Sequence, residues 1–464
     1  MSEMFFDTIN PATGANLETY QTMRDSDLEI AVEHAFSAYQ FLKKNNSVSS
    51  RALQLAELSH QFQKNTDKLA LMVTSEMGKP LKDSKAEVEK CVMAFKFYSE
   101  NLEKFLADEM VSSSYEKSFI VKESIGPVLA IMPWNFPLWQ TIRFAAPAVG
   151  IGNPILLKHS QLTAGTAQIM AQIFNEVSPG LVFNLQISHD SVTRLIADPR
   201  IRGLTLTGST EAGKKMGRLA GENLKKSVLE LGGSDAYIVL ADADIVKAAK
   251  IAAQARMVNN GQSCIAAKRF IVAQPIFESF LDHFKIELKK MRRADPLDLS
   301  TQVGPLAAKK FQTKILDQCQ KLEASGGQKI FDLADDEDFD FSGKDAFFPA
   351  RIYLVDHAQK MVFEEEFFGP VALVLKFETE DEAIELCNRS IFGLGGAVFS
   401  KDIVKAQALS RQMEAGFVAI NDQVKSAAGL PFGGVKNSGY GRELGLYGFN
   451  EFCNIKTLGI QSQC

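Results

Sequence analysis

ILLKHSQLTAGTAQIMAQIFNEVSPGLVFNLQISHDSVTRLIADPRIRGLTLTGSTE, residues 155–211, carries the reading that decides the fold. It opens on ILLK (155–158), an apolar run of strand length. LTAGTAQIMAQIFNEV (162–177) then places Leu162, Ile169, Ile173 and Val177 near one helical face. VFNLQ, the helix pattern SVTRLIAD, the strand GLTLT and a helix opening at Ser209-Thr210-Glu211 complete the stretch, and VLAIM (128–132) supplies a buried strand before it. Strand and helix alternate throughout, so the order implies an α/β fold on a parallel, doubly wound sheet.

A second alternating block begins at AYIVL (236–240), runs through a long helix at 244–258 and the strand KRFIVA, and continues to about Phe432. It reads as a second α/β domain. The tail FNEFCNIKTLGI alternates apolar and polar positions like a strand, one that could pair with another subunit. At 464 residues with 46% hydrophobic side chains, the chain can bury one large core or two to three domains without a disulfide or metal staple.

Composition narrows the function classes. The formal net charge is -5, and no Lys/Arg cluster is interleaved with aromatics, so nucleic acid is not an expected partner. Six cysteines form no CxxC pair and no ligand spacing with the six histidines, which argues against a metal site and a disulfide framework and for a reducing cytoplasm. MSEMFFDTIN has no basic region followed by an apolar run, the mark of a secretory signal. The apolar stretch from Ile125 to Leu157 is interrupted by five prolines and by Asn135, Gln140, Arg143 and Asn153, which suits core around a site rather than a membrane span. The acidic run DLADDEDFD (332–340) is expected to be a solvated surface loop.

Four segments carry the chemistry. MVNNGQSCIAAKR sets Cys264 after a small polar run at a helix end, where a thiol can be an exposed nucleophile rather than core filler. MPWNFP presents Asn135, LELGGS presents Glu230, and PFGGVKNSGYGRE forms a glycine-rich tail motif. Taken singly, Asn135 also reads as a turn residue and Glu230 as a surface carboxylate. No GxGxxG occurs. Thr207-Gly208-Ser209, between a strand and a helix, can serve as a pyrophosphate turn or simply as a capped strand-to-helix turn with Ser209 as N-cap. Lys158, at a strand end, could reach ribose hydroxyls or phosphate, or be a solvated charge.

Together these segments resemble the aldehyde dehydrogenase superfamily over nearly the whole chain. The resemblance implies a Rossmann-like cofactor domain (1–107 and 124–229), a catalytic α/β domain (230–434) and small bridging or oligomerisation strands (108–123 and 435–464) in a homodimer or homotetramer. It makes Cys264 the nucleophile, Glu230 the general base and Asn135 an oxyanion donor, with each such donor worth about 3 kcal/mol. NAD or NADP would be held by Trp134, Lys158, Gln161, Gly208, Ser209, Glu366 and Phe368. Gln161 departs from NAD-preferring relatives, which often carry glutamate there; a neutral side chain does not repel a 2′-phosphate and leaves NADP open.

Arg143, eight residues after Asn135 in an apolar stretch, reads alone as half of an internal salt bridge. The succinate semialdehyde branch of the superfamily carries an arginine at this offset and a serine at the position of Ser426, so the resemblance implies that Arg143 and Ser426 anchor the carboxylate of an aldehyde substrate. Several positions differ from relatives: Met257 stands for an aromatic, Ser234 for lysine, Val258 for another substrate-binding arginine, and Ala266 for a second cysteine that would form a redox switch. Competing readings are a broader aldehyde dehydrogenase acting on glutarate semialdehyde or aliphatic aldehydes, a Cys-His hydrolase, and a non-catalytic dinucleotide-binding protein.

Overall fold

In the computed structural model, which describes residues 5–335 and 346–462, four strands expected from the sequence form one sheet with two more. Its order is Gly439–Tyr440, Lys226–Glu230, Gly203–Thr207, Val128–Met132, Ile155–His159 and Val182–Asn184, parallel except for the first pair. Chain order reverses between Val128–Met132 and Gly203–Thr207, which creates a topological switch point with a crevice at the strands' C-terminal ends.

Both faces of this sheet are covered, and strand alternation sorts the side chains. Val128, Ala130 and Met132 join a core with Leu55, Phe62, Phe95 and Phe174 from the flanking helices. Leu129, Leu156, Leu204 and Leu206 point the other way, onto Leu28, Val32 and Ala35 of helix Asp25–Asn45. Burial on two faces is why these strands read as unbroken apolar runs. Helix Trp139–Ile151 is buried along its whole length, with Pro147 inside it.

The second sheet has seven strands in the order Gln328–Asp332, Arg351–Leu354, Val371–Phe377, Ala267–Ala273, Asp235–Val239, Gly395–Phe399 and Phe417–Ile420, antiparallel only at its first pair. Helix Ile245–Met257, capped by Asp244, joins two central strands of this sheet. A third, antiparallel sheet orders Cys453–Ile460, Lys117–Ser124 and Glu109–Met110.

The tail strand pairs with Lys117–Ser124 of its own chain and, as the edge of that sheet, keeps its other side open for pairing with another subunit. Residues 435–452 do not all belong with it: Val435–Lys436 pairs with Phe392–Gly393, and Gly439–Tyr440 closes the edge of the first sheet. Gly439 has φ +108° and lies so close to the Leu229 carbonyl that a Cβ would overlap it, so a glycine admits the tail there. The acidic run is not wholly solvated. Asp332 is buried and paired with Arg351 and Lys329, and Leu333 joins the core, whereas 336–340 lie outside the described residues. No helix among the described residues is long and apolar enough to cross a membrane.

Helix Leu81–Leu106 is tied to the site by Glu87. This buried carboxylate pairs with buried Lys79 and accepts from the N–H groups of Leu138 and Trp139, at the start of helix Trp139–Ile151. Glu87→Ala strands the Lys79 charge and two helix N–H groups, so it is expected to cost about 3–5 kcal/mol. A fall in the urea midpoint, followed through the chain's two tryptophans, Trp134 and Trp139, checks this. Glu87→Gln should lose less, because the amide oxygen can still accept.

Candidate active site

Helix Ile245–Met257 stops because three successive residues turn left-handed: Asn259 (φ 51°), Asn260 (φ 54°) and Gly261 (φ 75°). Asparagine tolerates this region at a cost of about 1 kcal/mol each, and side-chain hydrogen bonds offset it. Asn259 Nδ2 donates to the carbonyls of Asn135 (2.8 Å) and Gln262 (3.2 Å), and Asn260 Nδ2 to that of Gly304 (2.9 Å). Gly261 packs on Gly369, where a Cβ would overlap the backbone. The chain then presents Cys264, half-buried, before entering strand Ala267–Ala273.

Cys264 lies between two cavities. The larger, about 440 Å³, opens at the switch point and is lined by Trp134, Asn135, Thr207, Gly208, Ser209, Glu366 and Phe368, among others. Ser209 caps helix Thr210–Glu222 by accepting from Ala212 N–H, so its capping role and its place in the crevice coexist. A Cβ built on Gly208 would meet only Leu206, at 3.8 Å; the protein's own packing does not require glycine, and its absence of side chain leaves the helix N-terminus open to an anion. Trp134 stacks on Phe311 (4.5 Å between centroids) and meets Phe368 edge-on (5.8 Å). Glu366 accepts from Gly233 N–H at 3.1 Å, and a Cβ on Gly232 would come within 2.6 Å of its Oε2. An open helix N-terminus, flat aromatic walls and a held carboxylate fit a dinucleotide. Lys158 and Gln161 stand apart from this lining, on and just after the neighbouring strand Ile155–His159; Lys158 is buried, which pushes its ammonium pKa down, and Gln161 is exposed.

The smaller cavity, about 160 Å³, is lined by Lys90, Trp139, Gln140, Arg143, Val258, Cys264, Ser426 and Phe432, among others. Both expected anchors, Arg143 and Ser426, line it, and each already holds protein partners. Arg143 and Glu443, both buried, form an ion pair, and Arg143 also donates to Thr207 Oγ1 (3.1 Å) and lies over the Phe432 ring. The physical reason is that a buried guanidinium needs a counter-ion, and the tail motif delivers one. Ser426 instead bonds Lys90 Nζ (2.7 Å) and Trp139 Nε1 (3.0 Å). Arg256 does not replace the arginine missing at Val258: it is buried on the carbonyls of Ala267 and Gly261.

Asn135 Nδ2 donates one hydrogen to the Gln262 carbonyl at 3.0 Å, which orients the amide and leaves its second hydrogen for the cavity. Burial pushes the Cys264 thiol up to about 12, opposed by the Arg143 and Lys268 charges, so it rests protonated. Glu230 is not brought to Cys264. It is buried at the end of strand Lys226–Glu230, lines neither cavity, faces Gly433, and has no hydrogen-bond partner for either oxygen among the described residues. Burial, with neighbouring Glu443, pushes its pKa well above the usual carboxylate value, which disfavours the charged form in this position. To act as a base it must swing toward the cavity. His159 is engaged by the Pro137 carbonyl and Thr163, and no histidine lines either cavity, so the Cys-His hydrolase has no base here.

Four participants escaped the sequence reading: Asn259, Lys90, Glu443 and Lys268. Lys268 is fully buried, donates to the carbonyls of Ser263 (2.7 Å) and Cys264 (2.6 Å), and lies 3.4 Å from Glu366. A charged residue inside the apolar strand pattern AAKRFIVA was its signal. Among the described residues no group of His, Cys, Asp and Glu could hold a metal.

A model of the aldehyde dehydrogenase family matches residues 1–458, and the chain belongs to that family. Among its relatives, the succinate-semialdehyde dehydrogenase [NADP(+)] of Mycobacterium avium (strain 104) is 39% identical, covering 98% of this chain and 96% of its own. The crystal structure of succinic semialdehyde dehydrogenase from Streptococcus pyogenes in complex with NADP+ superposes with a TM-score of 0.95 at 34% identity, over 98% of this chain and all of that one. Betaine aldehyde dehydrogenase from Staphylococcus aureus in complex with NAD+ gives a TM-score of 0.93 at 30% identity, over 98% and 91% of the two chains.

The resting thiol makes a prediction. In cofactor-free protein, alkylation of Cys264 by iodoacetamide, located by peptide mass spectrometry, should keep accelerating with pH to 10 and beyond, because thiolate is scarce below about 12. A plateau near pH 8 would show that the site ionises this thiol unaided.

Proposed function

We propose that this protein oxidises succinate semialdehyde to succinate with NADP+ or NAD+, through a covalent intermediate on Cys264. The observation that carries the reading is the position of one sulfur between a dinucleotide-shaped crevice and a small cavity also lined by Lys90 and Ser426. The names of the relatives agree with it.

The chemistry follows from the residues. Once deprotonated, Cys264 Sγ attacks the aldehyde carbon and forms a thiohemiacetal, whose oxyanion takes hydrogen bonds from Asn135 Nδ2 and the Cys264 N–H. When bound, the nicotinamide supplies the hydride acceptor that turns this adduct into a thioester. Gly208, Ser209, Trp134, Glu366 and Phe368 would hold the dinucleotide, with Lys158 and Gln161 toward its ribose. Glu230, moved toward the cavity, takes the proton of the water that opens the thioester.

The division of labour proposed for the fold is a cofactor unit on the first sheet, a catalytic unit on the second, and the three-stranded sheet as the seam of a homodimer or homotetramer. Exposed Met110, Tyr115, Ile455, Leu458 and Ile460 support that seam. Free cysteines suit the cytoplasm.

A steady-state panel of aldehydes tests the substrate: succinate semialdehyde should exceed glutarate semialdehyde and butanal in kcat/KM, and Cys264→Ala should leave less than a few per cent of turnover. Equal rates across the panel would reduce the reading to an aldehyde dehydrogenase of broad range. For the cofactor, Gln161→Glu should shift the NADP/NAD ratio of kcat/KM toward NAD, by repulsion between the new carboxylate and the 2′-phosphate. An unchanged ratio would mean that this exposed side chain does not face the ribose.

A further inference from the structure

Lys90 is an unusual occupant of helix Leu81–Leu106. Its side chain turns inward, with Nζ 2.7 Å from Ser426 Oγ and 4.2 Å from the centre of the Trp139 ring. Its neighbour one turn back, Glu87, is already committed to Lys79 and to two backbone N–H groups. The other cations lining this cavity, Arg143 and Lys425, are paired with Glu443 and Asp422. Among the described residues the Lys90 ammonium therefore meets no carboxylate, and the cavity keeps one uncompensated positive charge.

Ser426 sharpens the point. A serine hydroxyl has two lone pairs and one hydrogen, and both neighbours of this oxygen, an ammonium and an indole N–H, can only donate. Its lone pairs are thus occupied and its own hydrogen needs an acceptor elsewhere. The remaining ammonium hydrogens of Lys90 need acceptors too. Donors converge on a space that holds Cys264 at its other wall and, at about 160 Å³, has room for a short chain only.

We infer that Lys90, with Ser426, receives the carboxylate of the substrate, and that Arg143 acts at one remove, as the counter-ion that fixes Glu443 and the wall of the cavity. This inference rests on the semialdehyde reading above and gives its anchoring site a residue. A carboxylate there accepts one hydrogen from Ser426 Oγ and one or two from Lys90 Nζ, and the aldehyde end of a four-carbon chain is directed toward Cys264. The charge-assisted pair is desolvated, with Trp139 beneath it, which strengthens it. Burial holds the Lys90 ammonium down to about 8 in the absence of an anion, the mark of a cation short of partners. An incoming carboxylate reverses that deficit.

The test compares wild type, Lys90→Met and Lys90→Arg with succinate semialdehyde and butanal, and measures inhibition of butanal oxidation by succinate. Lys90→Met keeps the stem on Trp139 and removes the charge, so kcat/KM for the semialdehyde should fall about 30-fold or more, chiefly through KM, and butanal should lose far less. Succinate inhibition should weaken in parallel, and Lys90→Arg should restore a good part of both. Equal loss for the two aldehydes would make Lys90 structural, and no loss for the semialdehyde would return the anchor to Arg143; either result overturns the inference. If wild type does not prefer the semialdehyde yet succinate inhibition depends on Lys90, the anchor stands and the substrate reading falls. If succinate does not inhibit wild type at all, both fall.

Discussion

Everything the site can do depends on one asparagine held in a left-handed conformation. Asn259 ends the helix that leads to the nucleophile, and its side chain grips the carbonyls of Asn135 and Gln262. Asn135 in turn bonds Gln262. Two loops from two different sheets are thereby fastened to each other where the sulfur of Cys264 and the amide of Asn135, the proposed oxyanion donor, come together. The backbone strain is small, about 1 kcal/mol per residue, and is matched by hydrogen bonds of the same order. What the turn achieves is registry: a thiol and an amide on separate sheets keep a fixed separation.

Around that junction the charges disfavour ionisation. Burial holds the thiol protonated, and Glu230, the proposed base, stands outside both cavities with its pKa raised by burial and by Glu443. Cations lie on several sides, yet Arg143 is spent on Glu443 and Lys268 on the carbonyls of Ser263 and Cys264. On the mechanism proposed above, reactivity arrives with the ligands and with movement of Glu230, which suits a sulfur otherwise open to adventitious electrophiles.

Much of this was legible in the sequence, for identifiable reasons. Gly203–Thr207 was readable to the residue because a strand covered on both faces is a continuous apolar run between breakers. Helix Ile245–Met257 was readable as a long helix at 244–258 that gives way to the small polar run before Cys264. Cys264, Asn135, Gly208 and Ser209 were legible because they sit in short motifs directly after regular elements. The pairing of Arg143 was not, because its partner lies 300 residues onward in the tail and no local pattern announces which of two buried charges will meet. Lys90 was hidden for a related reason: on an amphipathic helix a lysine beside Glu87 and Glu89 looks solvated, and only the fold turns it onto Ser426. The edge strand at Gly439–Tyr440 was not legible, because a glycine lets the chain add to a sheet edge without an alternating pattern.

The segment after Phe432 closes what earlier segments begin. It supplies Glu443 to Arg143, an edge strand to the first sheet and a partner for strand Lys117–Ser124. On the ribosome these residues are made after every part of the two cavities. Until they emerge, a nascent chain carries a guanidinium with no counter-ion and a sheet with an open edge, and the thiol has no finished surroundings. Assembly around Cys264 is therefore coupled to the arrival of this segment: a molecule lacking it would hold the thiol in an unfinished pocket and be prone to pair its bare edge with another strand.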